Sequence, residues 1–351
     1  MNYFDLDQYD YALPPELIRK QGAEPRDSAR LFVYDTQTDT VTLDIFRNIV
    51  DYLPKQSFLV LNDTRVLPVR LWLSKATGGK IEVFVLMNQW DGGRDIPVLV
   101  DRKVHIGQQL LLSNGDYFEI VSQQEAIFFV HLESATDLSL RDLLDRFGET
   151  PVPHYLEGDQ VIPEKILRER YQTIFAQSGA SVAAPTAGLH FTDEVFADFT
   201  KKEISLGRVT LDVGRGTFAS LTEQNFLSKT LHAERITVSD TVANRLNTAK
   251  LEQHPIIAVG TTALRTLESV CHDGKFSAYS GLTHLFVFPP HHFGGAEILI
   301  TNFHLPKTSL MLLVDAFLRD KGAKRNIVDL YHVAIQNQLA FYSFGDSMLI
   351  L

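Results

Sequence analysis

The chain has 351 residues, 45% of them hydrophobic, one cysteine and a formal net charge of −10. That is enough apolar material for one large packed domain or two ordinary ones, and too little cysteine for a disulfide framework or a cysteine-based metal site. No apolar run reaches the length of about 18 residues a membrane span needs, the start "MNYFDLDQYD" is acidic where a secretory leader is basic and then greasy, and the acidic balance argues against a surface that is wholly a nucleic-acid platform; a cytoplasmic protein is expected.

From about residue 66 to 133 the chain consists of short β-rich runs divided by turn residues: "RLWLS", "KIEVFVLM", "IPVLV" and "LLLSNGDYFEIV". Several such strands with almost no helical period close most simply into a small barrel. Asn114-Gly115 lies between apolar alternations and predicts a tight hairpin, since both residues tolerate positive φ. The flanks differ, because strand-like runs there are followed by helical patterns, as in "PIIAVG" then "TTALRTLESV" and "EILITNF" then "HLPKTSLMLLVDAFL". The expected fold is α/β: a three-layer α/β/α main domain built from both ends of the chain, residues 1–65 and 149–351, with a small β-barrel inserted at 66–148.

The flanks carry polar loops at strand ends. In "VAAPTAGLHFT", residues 182–192, Pro185 and Gly188 force an irregular backbone, and Thr192 caps a helix that begins with Asp193 and Glu194 and buries Val195, Phe196 and Phe199. His190 sits in the loop before it, where an imidazole titrates near neutral pH, although a lone histidine is more often structural. "TLDVGRGTF", residues 210–218, offers Asp212 and the glycines Gly214 and Gly216 around Arg215. In "LHAER", His232 and Glu234 share a face if the segment is extended.

"AVGTTALRTLES" ends a strand at Gly260, after which Thr261 or Thr262 caps a helix carrying Arg265 and Glu268. Such a helix start favours a carboxylate or phosphate, while a plain capped helix with an Arg265–Glu268 i, i+3 ion pair explains the same residues. "TNFHLPKTSL" adds His304 and Lys307, and "RDKGAKR" gathers Arg319, Lys321, Lys324 and Arg325, which reads first as a solvated loop. None of these is a Walker or GxGxxG fingerprint, an HExxH or a GxSxG. Alone they indicate an α/β enzyme with polar strand-end loops, and function does not follow from that.

Together, however, "FDLDQYDYALPPELI", "RDSARLFVYD", "LVLNDTRVLPVRL", "TGGKIEVFVL", "GETPVPHYL", "RYQTIFAQSGASVAAPTAGLHFT", "AVGTTALRTLES", "TNFHLPKTSLMLLVDAF" and "FYSFGDSMLIL" resemble, in order, the S-adenosylmethionine:tRNA ribosyltransferase-isomerase family of queuosine biosynthesis. The resemblance implies an α/β domain with an inserted β-barrel. It also implies transfer and isomerisation of the ribosyl moiety of S-adenosylmethionine onto a 7-aminomethyl-7-deazaguanine at the tRNA wobble position, giving epoxyqueuosine with release of adenine and methionine. S-adenosylmethionine is then a co-substrate, with no cofactor and no metal, and the partner is a tRNA with a GUN anticodon acted on by a monomer.

For this chemistry His190 is the first catalytic choice, with His304, Glu234 and Asp212 as further groups able to move a proton. Substrate contacts are expected from Thr186, Gly188, Thr261, Thr262, Arg265, Glu268, Lys307, Tyr171 and Arg65, the methionine carboxylate being met by Arg265 or the Thr261-Thr262 helix start. Tyr171, Phe191 and Phe303 are the aromatic rings on which a splayed base could stack, although a place in the core is the first reading of each. The chain departs from the family pattern in having Asp212 where histidine is usual, Ser220-Leu221 for Pro-Val, Pro290 for glycine and Leu339-Ala340 for Tyr-Arg. A divergent member is therefore expected; the alternatives are a related transferase with another acceptor base and a non-catalytic tRNA-binding paralogue.

Overall fold

The computed structural model describes residues 5–135, 138–152, 162–214 and 220–351. The chain forms two compact units: Met1–Thr64 with Gln172–Gly179 and Ala184–Leu351, and Arg65–Tyr171 with Ala180–Ala183. The stretch 66–148 that reads as a barrel in the sequence falls inside the second unit, which also takes in the helix Glu164–Arg170.

The first unit is built on a nine-stranded sheet. Its strands are β1 (Arg30–Asp35), β2 (Thr40–Ile45), β3 (Phe58–Asn62), β4 (Ser205–Asp212), β5 (Thr230–Val238), β6 (Ile256–Val259), β7 (Tyr279–Leu285), β8 (Ile298–Asn302) and β9 (Ser347–Ile350). They lie in the order β7-β5-β4-β3-β6-β8-β9-β1-β2. The four central strands β4, β3, β6 and β8 are parallel to one another. Their sequences explain why: "FLVLN", "IIAV" and "ILITN" are buried at every position, as a strand covered on both faces must be.

On one face Leu59, Leu61, Ile257, Val259, Ile298 and Ile300 pack with Phe191, Val195 and Phe199 of and before helix α1 (Asp193–Lys201). The alternate residues face helices α2 (Asp240–Leu251), α3 (Gly260–Val270), α4 (Ser309–Asp320) and α5 (Ile327–Gln336), as when Phe32 of β1 meets Phe303, which meets Tyr331 of α5. The result is the three-layer α/β/α arrangement.

In the second unit six strands, Arg70–Lys75, Lys80–Val85, Ile96–Val100, Gln109–Leu111, Tyr117–Gln124 and Ile127–Glu133, form a closed antiparallel barrel. Alternating residues such as Leu71, Leu73, Ile81, Val83, Phe118 and Ile120 fill it. The Asn114-Gly115 hairpin differs in detail from expectation. Gly115 takes φ 93° and its N–H reaches the Leu112 carbonyl at 3.2 Å, while Asn114 stays at negative φ and instead gives its side-chain amide to Asp116 at 2.6 Å. One glycine in the left-handed region is sufficient for a turn of this type.

A buried carboxamide completes the join between β3 and β4. Asn62 Oδ1 accepts the Leu211 N–H at 3.0 Å and the Thr64 N–H at 3.2 Å, and its Nδ2 donates to the Leu211 carbonyl at 3.0 Å. The side chain thus continues the ladder where the backbone of β3 turns away. Asn62→Ala leaves both buried Leu211 groups unpaired, and at about 1–3 kcal/mol for each such group the expected loss is about 2–6 kcal/mol, read as a lower urea midpoint at unchanged slope.

Candidate active site

Because β3, β4, β6 and β8 are parallel, their C-terminal ends meet one edge of the sheet, the usual place for ligands in an open α/β fold. The segments leaving that edge are Asn62-Asp63-Thr64, Asp212-Val213-Gly214, Gly260-Thr261-Thr262 and Asn302-Phe303-His304. The 3-10 turn Thr186–His190 packs beside them, against β8 and the start of α3. Arg215 and Gly216 lie outside the described residues.

His190 is 5% exposed, with its ring 5.1 Å from that of Phe46. Its Nε2 meets Asn302 Nδ2 at 3.1 Å, and the ring also bonds the backbone of Arg26. Burial pushes its pKa down to about 4, helped by the Arg26 guanidinium and opposed by the Arg26 backbone bond. A neutral ring held by Asn302 at Nε2 and bonded to the Arg26 backbone is a fixed group. Asn302, which the sequence reading passed over, is the hub: its Oδ1 accepts from Thr186 Oγ1 at 3.0 Å and its Nδ2 also reaches the Asp346 carbonyl at 3.3 Å. Thr192 caps α1 as expected, its Oγ1 accepting the Val195 N–H at 3.4 Å.

At Gly188 a Cβ would stand 2.6 Å from Phe175 Cζ and 2.9 Å from Thr173 Cγ2, so the glycine is needed for inward packing.

His304 lies two residues beyond the end of β8, its Nε2 3.1 Å from Thr301 Oγ1. Burial lowers its pKa to about 4, and its Nδ1 has no hydrogen-bond partner among the described residues. The loop is held by a hydrogen bond between the His304 N–H and Tyr331 Oη at 2.9 Å, and by the Tyr11 hydroxyl donating to the His304 carbonyl. Lys307 Nζ sits 2.8 Å from Asp7 and 2.9 Å from Asp10, which raise its pKa. It therefore latches the N-terminal segment to this loop.

Helix α3 begins at Gly260, φ 88°, with Val259 at the cap position and no side-chain cap. Thr261 and Thr262 are thus inside the first turn, contrary to the expectation that one of them caps it, because the left-handed glycine starts the helix early. Thr262 Oγ1 is buried and has no hydrogen-bond partner among the described residues. Arg265, 7% exposed, pairs with Glu234, 2% exposed, whose Oε1 also accepts the Gly214 N–H at 2.9 Å. Burial lowers the Arg265 pKa to about 10. Glu268 accepts the N–H groups of Gly295 at 2.5 Å and Gly294 at 3.3 Å and meets His291 at 3.2 Å. It therefore anchors a loop, and these bonds take the place of the expected i, i+3 pair with Arg265. A register shift in β5 between Thr230 and Glu234 separates exposed His232 from buried Glu234.

Two carboxylates sit where β3 and β4 end, held in crossed fashion. Thr64 Oγ1 of one strand end donates to Asp212 Oδ1 at 2.6 Å, and Thr210 Oγ1 of the other donates to Asp63 Oδ1 at 2.7 Å. Burial raises the Asp63 pKa, with Asp212 adding to the shift. Asp63 went unnoticed in the sequence, where an aspartate after a strand is an ordinary turn residue.

The remaining expectations divide by burial. Tyr171 at 1%, Phe191 at 0% and Phe303 at 0% exposure are core residues, so none offers a stacking platform. Arg65 is exposed and, like Tyr171, belongs to the second unit. Arg319 and Arg325 are spent on Asp315 and Asp39, which leaves little of the basic cluster. Among the described residues, no group of three or more His, Cys, Asp or Glu is placed to hold a metal ion, and no helix is long and apolar enough to cross a membrane.

A family model described as "Queuosine biosynthesis protein" matches residues 6–350. A protein of Carboxydothermus hydrogenoformans named S-adenosylmethionine:tRNA ribosyltransferase-isomerase is 37% identical over 347 residues, 99% of each chain. One of the same name from Fusobacterium nucleatum is 38% identical over 352 residues, covering 98% of this chain and 96% of that one. The crystal structure of S-adenosylmethionine tRNA ribosyltransferase from Thermotoga maritima aligns over 98% of this chain and 100% of its own, with a TM-score of 0.55 and 29% identity.

The site makes two predictions about stability. An unfolded chain protonates His190 near the ordinary 6.5 while the folded chain holds it neutral to about 4, so the unfolded state binds the extra proton between those values. Stability should fall as pH drops through that window, by up to about 3 kcal/mol from this group, and the slope of urea midpoint against pH should flatten in His190→Gln. For the buried ion pair, Arg265→Met or Glu234→Gln alone should cost about 3–5 kcal/mol and the double variant much less than their sum, measured as a double-mutant cycle in urea.

Proposed function

The chain belongs to the queuosine biosynthesis protein family, and from that membership we propose that it is an S-adenosylmethionine:tRNA ribosyltransferase-isomerase. It transfers the ribosyl part of S-adenosylmethionine to the aminomethyl group of a 7-deazaguanine at the wobble position of a tRNA with a GUN anticodon, isomerises it to an epoxycyclopentane, and releases adenine and methionine. The observation that carries this reading is the likeness running through residues 6–350, across both units. S-adenosylmethionine is consumed as co-substrate, and the enzyme works as a monomer.

The residues at the strand edge suit the demands of that reaction. The sulfonium acidifies the adjacent C5′ proton, and removing it needs an unprotonated base with a free lone pair. His304 supplies one: neutral at working pH, held through Nε2 by Thr301 and open at Nδ1. Departing adenine needs a proton or donor, and we assign that work to Asp63, the carboxyl at the strand edge whose pKa burial raises. The methionine carboxylate is met by the start of α3, where the first amides have no side-chain cap and Thr262 Oγ1 is unspent. Arg265 and Glu234 brace this region, their charges satisfying each other beside Gly214. The tRNA needs only a local contact face, so the net charge of −10 is no obstacle, and binding should weaken steeply with salt.

The test is release of adenine from S-adenosylmethionine with tRNA bearing the aminomethyl-deazaguanine. Release dependent on both substrates is expected, with kcat for His304→Ala lower by about 100-fold or more. Because both histidines stay neutral down to about pH 4, the rate should show no acid limb near pH 6.5. No release above an enzyme-free control would sink the reading.

A further inference from the structure

Around Asn302 runs a chain of hydrogen bonds whose direction is fixed at its ends. The carbonyls of Arg26 and Asp346 can only accept. The second holds the Asn302 amide as a donor, so Nε2 of the neutral His190 ring, which that same nitrogen faces, meets it as a bare lone pair, and the first is bonded by His190 as well. Asn302 must therefore turn its amide nitrogen toward Nε2 at 3.1 Å, and the same nitrogen serves the Asp346 carbonyl at 3.3 Å. With Nδ2 so placed, Oδ1 faces Thr186, and it too can only accept. The single hydroxyl proton of Thr186 is consequently spent at 3.0 Å on Asn302. What Thr186 offers to anything else is lone pairs.

A hydroxyl free to rotate serves donors and acceptors alike, whereas this one cannot donate to a carboxylate or a phosphate. Thr186 is partly exposed at the strand edge, and the next residue, Ala187, touches the start of α3 near Gly260. We propose that Thr186 is a one-way acceptor that binds an N–H of a primary amine or its ammonium form, with Asn302 and His190 as positioning residues that fix its direction. This rests on the ribosyltransferase reading, whose reaction brings two such groups: the α-ammonium of S-adenosylmethionine and the aminomethyl group of the deazaguanine. Both are donors of the required kind, and the experiment separates them.

S-adenosylmethionine is titrated calorimetrically onto the full chain without tRNA, and adenine release is followed against modified tRNA, for wild type, Thr186→Val and Thr186→Ser. Valine keeps the shape and removes the acceptor; serine keeps it. If the ammonium is the ligand, Thr186→Val weakens S-adenosylmethionine binding about 10- to 100-fold, as loss of a hydrogen bond to a charged group should, and serine restores it to within about threefold. If the aminomethyl group is the ligand, S-adenosylmethionine binding is unchanged and kcat/KM for tRNA falls instead, again rescued by serine. Values for Thr186→Val within about threefold of wild type in both assays overturn the proposal.

The direction of the relay is read separately, from the nitrogen resonances of His190 in a histidine-labelled sample, assigned by their loss in His190→Gln. An unprotonated Nε2 is expected, and a protonated Nε2 overturns the assignment. A wild-type chain that binds S-adenosylmethionine but never releases adenine sinks the ribosyltransferase reading while leaving these binding and resonance results to decide the role of Thr186.

Discussion

Four parallel strands that stop at one edge leave four chain ends whose backbone groups have lost their ladder partners, and each needs a substitute that water cannot supply in a buried position. Asparagines provide it at the ends of β3 and β8, while β6 runs straight into a helix. Asn62 ends β3 by pairing both ways with Leu211, and Asn302 ends β8 by serving Thr186, His190 and Asp346 at once. A carboxamide suits both places because it presents a donor and an acceptor in one plane and carries no charge that burial would penalise. The positions of His190, Thr186 and Asp212 all follow from where these amides let the strands end.

The edge is also sorted by sign. Where charge is buried, as with Arg265 and Glu234, it is neutralised in place, and where a ring is buried it is kept neutral. Around the start of α3 the unspent groups are amide hydrogens and a hydroxyl, and around Thr186 they are lone pairs. A zwitterionic amino acid has one group for each kind of surface. Charged side chains elsewhere are used to hold segments together: Lys307 holds the N-terminal turn, Glu268 the loop at Gly294-Gly295, and buried Asp315 joins Tyr9, Arg319 and the start of α5.

What could be read before the structure was whatever has a short period. The barrel strands alternate, the buried parallel strands are continuous apolar runs, and both patterns survive without tertiary information. The site was legible as a set of loops and through its family likeness, but the work of each residue was not. His190 looks like a base in sequence because nothing there shows Phe46 over its ring or Asn302, 112 positions away, on its nitrogen. Glu268 and Lys307 look available for the same reason. Thr261 and Thr262 were misplaced by a local rule, since a glycine at φ 88° began the helix one residue before a threonine could cap it. Asp63 and Asn302 escaped because single polar residues after a strand are common, and their meaning lies in the neighbouring strand.

Where the chain leaves the sheet at Asp63, the carbonyl of that residue accepts the N–H of Gln177 at 2.9 Å, so departure and return are one hydrogen bond apart. Closing a loop of about 110 residues costs about 4 kcal/mol of chain entropy, a cost that grows slowly with length. The loop is more than an insert, because Thr64, Thr173 and Phe175 lie inside it and belong to the α/β unit, where they hold Asp212 and pack against Gly188 and Phe191, while Ala180–Ala183 returns to the second unit after it. The chain thus passes between the two units four times, so neither folds from one uninterrupted segment.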